Sequence, residues 1–208
     1  MHGENRGGGR LIKEVVLATR NVHKGAEITA LLGDLGIKVR TLAEFPHVPD
    51  TIEDGATCRE NAIKKATLAA LYTELPSVAD DTGLAVDALD GRPGVHAARY
   101  AGHHATYEDN WRKLLQELEG IPRERRTARF MTVAAIARPQ IEEVDIAEGV
   151  LEGLIVEKPE GTQGFGYDPV FLIPELAKTL AALTREEKNR ISHRARAFAK
   201  VRELLKTF

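Results

Sequence analysis

Apolar positions along the chain fall into short β-branched runs that alternate with stretches of helical spacing. Residues 13–18 (KEVVLA) form such a run, ending at Thr19-Arg20-Asn21, after which Ile28, Leu31, Leu32 and Leu35 recur at intervals of one, three and four. The pattern predicts a strand, a loop and a helix. Asn21 is the expected N-cap, because its side chain can accept the unpaired N–H groups of the first turn, and Gly36 lies where the helix is expected to stop. Residues 37–41 (IKVRT) read as a returning strand, so the opening is a βαβ unit with parallel pairing.

A second helix is expected from Thr57, which has capping-box spacing to Glu60, with Ile63, Ala66 and Ala70 on one face and Pro76 closing it. Val78-Ala79 and Leu84-Ala85-Val86 flank Asp80-Asp81-Thr82-Gly83, which predicts a break in extended chain at the two aspartates. Residues 107–118 place Trp111, Leu114, Leu115 and Leu118 on one helical face. Long strands are expected at 129–137 and 144–156, joined around Pro139, then a glycine-rich loop at 161–166 and a short strand at 170–173. The chain ends helically from Thr184, whose capping partner is Glu187, and Ser192 offers a second cap after a break. The fold class expected is α/β with a mixed sheet, and no repeat at solenoid spacing is present.

Composition narrows the classes. With 208 residues and 43% hydrophobic content, the chain can bury a core without cross-links. Its one cysteine, Cys58, excludes an intramolecular disulfide and a thiolate-rich zinc cage, which fits a reducing, cytoplasmic setting. Apolar runs fall short of the roughly 18 residues that suggest a membrane span, and the first ten residues lack the apolar stretch of a signal peptide. Residues 1–12, with Gly7-Gly8-Gly9 between arginines, are expected to be a flexible extension, and 13–208 a single domain. A formal charge of -2, from 29 basic and 31 acidic side chains, disfavours a nucleic-acid-coating role. Any polyanion site must be local.

Several segments can carry chemistry. The turn Thr19-Arg20-Asn21-Val22-His23-Lys24 joins a strand to a helix N terminus, where unpaired N–H groups and the helix dipole favour a phosphate, and Lys24 adds a charge. It lacks the glycines of a Walker loop, so a plain surface turn is the competing reading. Asp80-Asp81 is either a pair of carboxylates awaiting a cation such as Mg²⁺ or a turn with one carboxylate solvated. Glu53-Asp54-Gly55 offers a second acidic pair, and spacing does not choose between its members. Gly164-Phe165-Gly166-Tyr167-Asp168 combines glycine freedom with aromatic rings suited to stacking on a purine, or to a core. Lys188, His193 and Arg194 supply cations near the last helix, or form a solvated face. Together these are the parts of a nucleotide site.

Four of these stretches, TRNVHK at 19–24, ADDTG at 79–83, GFGYDPVF at 164–171 and LTREEKNRISHR at 183–194, make the chain similar to the Ham1-like inosine and xanthosine triphosphate pyrophosphatases. The similarity runs from about Val15 into the C-terminal helix. It implies an elongated, two-lobed α/β protein with a long mixed sheet flanked by helices and a substrate cleft between the lobes. It also implies Mg²⁺, a homodimer, and hydrolysis of ITP, dITP or XTP to the monophosphate and pyrophosphate. By the same resemblance the 19–24 turn, with Thr19, Asn21 and Lys24 foremost, holds the triphosphate, Glu53 and Asp81 hold the metal, and Asp81 also accepts a proton. Thr82 touches substrate, Phe165, Gly166, Tyr167 and Asp168 recognise the base, and Lys188, His193 and Arg194 are further substrate contacts. Arg20 and His23 stand where many members have glycine, which implies a stiffer turn and an extra cation near the phosphates. A non-catalytic nucleotide sensor on the same scaffold, and a nucleic-acid processing protein, are the competing functions.

Overall fold

A computed structural model describes residues 12–207. Of the expected extension, only Ile12 lies within that range, and it packs on a core cluster. The chain opens with β1 (Glu14–Leu17), α1 (Val22–Leu32) and β2 (Lys38–Thr41), and β1 and β2 pair in parallel with Val15 opposite Val39. Asn21 caps α1 as expected, accepting the His23 and Lys24 N–H groups at 3.0 and 3.2 Å. The helix stops at Leu32 with Gly33 as its C-cap, ahead of Gly36, since a glycine already breaks helical propensity there.

α2 (Cys58–Thr73) starts where Thr57 accepts the Glu60 N–H at 3.1 Å. The Glu60 carboxylate reaches past the cap to the Ala56 N–H at 2.7 Å. β3 (Ser77–Val86) follows and corrects the expected break: it runs unbroken through Asp80 and Asp81, paired residue by residue with β5 (Thr127–Arg138). The pleat explains why the adjacent carboxylates are tolerated. Successive side chains leave opposite faces of a strand, so Asp80 shares a face with Val78, which packs with α1 and α5, and Asp81 shares one with Ala79, which packs with α2.

The remaining elements are β4 (Pro93–Gly94), α3 (Tyr107–Glu117), β6 (Ile141–Ile155), β7 (Phe171–Ile173), β8 (Lys178–Thr179), α4 (Arg185–Ile191) and α5 (His193–Lys206). The sheet order is β2-β1-β3-β5-β6-β7-β8, with β4 on β3. The β2, β1 and β3 strands are parallel and the rest antiparallel, so the sheet is mixed. Both helical signals near the C terminus are realised: Thr184 and Glu187 box the start of α4, and Ser192 ends α4 and caps α5.

Three apolar clusters define two lobes. α2 covers one face of the β1–β3–β5 region and α1 with α5 the other. The third cluster gathers the far halves of β3, β5 and β6 with β7, α3 and Tyr167. α5 lies tight on β6 at Gly149, where a Cβ would stand 2.1 Å from the His193 carbonyl oxygen, so any side chain there would displace the start of α5. Among the described residues, no helix is long and apolar enough to cross a membrane.

Candidate active site

A cavity of about 400 Å³ opens between the lobes. Its wall includes Thr19, Arg20, Asn21, Lys24, Glu53, Asp81, Thr82, Phe165, Gly166, Tyr167, Asp168, Lys188, His193 and Arg194. Val22 and His23 do not line it: Val22 is 80% exposed, and the His23 ring lies on Phe165.

The two aspartates of β3 meet different cations. Asp80, fully buried, accepts two N–H bonds from Arg194 at 3.1 and 3.0 Å and the Thr82 hydroxyl at 3.2 Å, and faces the Lys24 ammonium at 3.4 Å. Burial by itself would raise its pKa, but Lys24, Arg194 and Lys65 outweigh that and hold the carboxyl well below the usual range. Asp81 points the other way, lines the cavity, and accepts from Lys65 at 2.7 Å. The same ammonium lies 3.5 Å from Glu53. Asp54 instead turns outward to Lys64 at 2.5 Å, so Glu53 is the member of the acidic pair that faces Asp81. Burial, with Asp81 alongside, pushes the Cys58 thiol up to about 12, which leaves it unreactive.

Behind the cavity wall, Glu27 of α1 accepts from Lys188 and Arg194, each at 2.6 Å. Asp168 accepts from Lys188 at 2.5 Å and from the Phe165 N–H at 2.9 Å. Burial raises the Asp168 pKa against the pull of Lys188, whereas at Glu27 the Arg194 and Lys188 charges overcome burial and lower it. Lys24, Lys188 and Arg194 are thus matched by Asp80, Glu27 and Asp168. Burial pushes the Lys24 ammonium pKa down, with Asp80 opposing. His193 is stacked on Phe130, 4.4 Å between ring centroids. Burial first, then Arg194 and Lys188, drive its pKa well below the ordinary value, so the ring is neutral. Its buried Nδ1 has no hydrogen-bond partner among the described residues.

The Ham1 family sequence pattern matches residues 15–204. The chain belongs to the Ham1 family. It is 50% identical to a dITP/XTP pyrophosphatase of Geobacillus kaustophilus, over 92% of this chain and 94% of the relative. It is 49% identical to a dITP/XTP pyrophosphatase of Geobacter sulfurreducens, over 92% and 96%. A solved HAM1 protein from Coxiella burnetii superposes with a TM-score of 0.85 at 44% identity, over 93% of this chain and 98% of that one.

Within this Ham1 chain the cavity also recruits residues that the sequence reading passed over: Lys65 from α2, Arg99 from the segment ahead of α3, and Tyr107 and Asn110 from the first turn of α3. Glu27 is a further omission, since it anchors two of the cations from behind. One signal for Lys65 was present. It is a lysine on the helical face shared with Ala62, Ala66 and Ala69, all buried, where a charge requires a partner. Arg20 lines the cavity, and its guanidinium also meets the Asp50 carboxylate at 2.6 Å and the Val48 carbonyl at 2.7 Å, which tie the turn to the loop after β2.

Proposed function

We propose that this Ham1 chain hydrolyses triphosphates of non-standard purines, ITP, dITP and XTP, to the nucleoside monophosphate and pyrophosphate, with Mg²⁺ as its metal. The observation that carries this reading is one cavity that joins a carboxylate pair, a lysine at a helix N terminus and an aromatic loop, drawn from residues 19 to 194. Its near relatives carry the name dITP/XTP pyrophosphatase. The family resemblance also implies a homodimer working in the cytoplasm.

Glu53 and Asp81 suit Mg²⁺. Both carboxylates already share one cation, the Lys65 ammonium, and Mg²⁺ is usually held by one or two carboxylates with substrate phosphates completing its shell. When bound, the metal supplies a divalent charge that polarises the phosphates and neutralises charge as it develops. Asp81 accepts a proton from the attacking water, since it is the one of the two strand aspartates that faces the cavity. Asp80 serves instead as the fixed counter-ion of Arg194 and Lys24. Lys65 bridges the two carboxylates and holds them side by side before substrate arrives.

Lys24 and the first turn of α1 receive the phosphates and the charge of the leaving pyrophosphate. Replacing Lys24 with Ala should cost about 1.5–3 kcal/mol in kcat/KM for ITP, the range for a charge-assisted hydrogen bond. Steady-state kinetics check it, and unchanged kinetics would move the triphosphate away from this turn.

Base choice follows from donors. His193 and Arg194, both in the cavity wall, donate to a 6-keto oxygen, whereas the 6-amino group of adenine would set donor against donor. ITP or XTP should therefore be turned over with kcat/KM on the order of a hundredfold or more above ATP. The deciding experiment incubates the protein with a panel of nucleoside triphosphates and Mg²⁺ and identifies products by chromatography. Pyrophosphate and IMP from ITP are expected. Equal turnover of ATP would sink the base assignment, and binding without turnover would favour the sensor.

A further inference from the structure

His23 falls in the phosphate turn by sequence, yet it does not line the cavity. Its imidazole lies on the Phe165 ring, centroids 5.3 Å apart and planes 21° from parallel, and meets the Tyr107 ring edge-on at 6.0 Å. Phe165 and Tyr107 do line the cavity, and their rings are 5.7 Å apart. His23 therefore backs Phe165 from outside the cavity wall.

Phe165 needs such support. It rides on a loop with Gly164 and Gly166 on either side, at φ of 74° and 65°, a backbone open to glycine and costly for other residues. That permissive backbone leaves the ring's orientation to its neighbours. Asp168 holds the Phe165 N–H, and the Lys188 ammonium lies 4.9 Å from the ring centroid. Among these supports His23 is the one carried by α1, next in sequence to Lys24. The Asn21 amide, which caps the same helix through its oxygen, also donates to the Tyr107 hydroxyl at 2.9 Å.

We propose that His23 is a positioning residue for the base: stacked behind Phe165, it fixes the ring on which the purine packs and couples that platform to the phosphate turn. This rests on the purine-nucleotide reading of the site. The coupling is aromatic, so a ring can replace the imidazole and a charge alone cannot. An offset-stacked pair contributes enough to change binding by roughly two- to tenfold.

The test compares wild type with His23→Ala, His23→Phe and His23→Lys. His23 is exposed at the start of a helix, and thermal melts will confirm that each variant is folded. His23→Ala should raise KM for ITP by roughly two- to tenfold with kcat little changed, and His23→Phe should restore KM while His23→Lys does not. Inhibition by inorganic tripolyphosphate, which has phosphates and no base, should be the same in all four proteins. The proposal is overturned by an unchanged KM in His23→Ala, by rescue with Lys in place of Phe, or by a tripolyphosphate inhibition constant that moves in step with KM. Calorimetric binding of inosine α,β-imidotriphosphate repeats the comparison without turnover. A protein that binds this analogue but releases no pyrophosphate from ITP fails the proposed function and still decides His23, whereas one that binds no purine triphosphate overturns both.

Discussion

Asp81→Asn should lower turnover of ITP by at least about a hundredfold, the low end for losing one acid–base group, in a protein that still folds. Asn keeps the shape of the carboxylate and removes its charge and basicity. Asp81 and Lys65 form a buried ion pair at 2.7 Å, so some stability is lost, but Lys65 retains Glu53 at 3.5 Å and the fold should survive. Glu53→Gln should also lose activity, but raising Mg²⁺ should restore part of it if Glu53 acts on metal affinity alone. The same rescue should be weaker in Asp81→Asn, because added metal does not replace a proton acceptor. Single-turnover rates at several Mg²⁺ concentrations, with circular dichroism to confirm the fold, make the comparison. Near wild-type turnover in folded Asp81→Asn would remove the catalytic assignment and leave the strand's other aspartate to be tested.

The structure argues against that other aspartate in advance, for a reason the sequence did not display. Locally determined features were legible: the Asn21 cap, the Thr57 start of α2, the parallel opening unit and the two helices split at Ser192 each depend on residues within a few positions of one another. The fate of Asp80-Asp81 was not. Two adjacent carboxylates beside a glycine read as a break, because their neutralising cations come from residues 24, 65 and 194 and only meet them once the sheet and three helices assemble. Glu27 was missed for the same reason, as its partners lie 161 and 167 residues further along the chain. His23 shows the converse, since its position in the turn was legible and the ring it meets, on a loop more than a hundred residues away, was not.

Those long-range pairs make Asp80 a stability residue, and Asp80→Asn should destabilise the fold by about 3–5 kcal/mol, the cost of stripping one partner from a buried ion pair. Arg194 is buried to 2% side-chain exposure and directs both Nε and Nη2 at a single Asp80 oxygen. Asn would present a neutral carbonyl or an amino group in that place, leaving Glu27 as the partner of a guanidinium that then carries uncompensated charge. At roughly 2–4 °C per kcal/mol for a chain of this size, the melting temperature should fall on the order of 10 °C. The pH dependence separates this cause from a packing defect. Asp80 has a folded pKa depressed below its unfolded value of about 3.9, so its contribution is fully present above that pH and is lost as pH falls toward the depressed value. Wild type should therefore lose stability steeply below about pH 4, and Asp80→Asn, already without this contribution, should lose less over the same interval. Urea unfolding at pH 7 and at pH 3.5 measures both quantities. An equal midpoint for the two proteins at pH 7, or parallel losses on acidification, would show that Asp80 does not hold Arg194 in the way its two hydrogen bonds indicate.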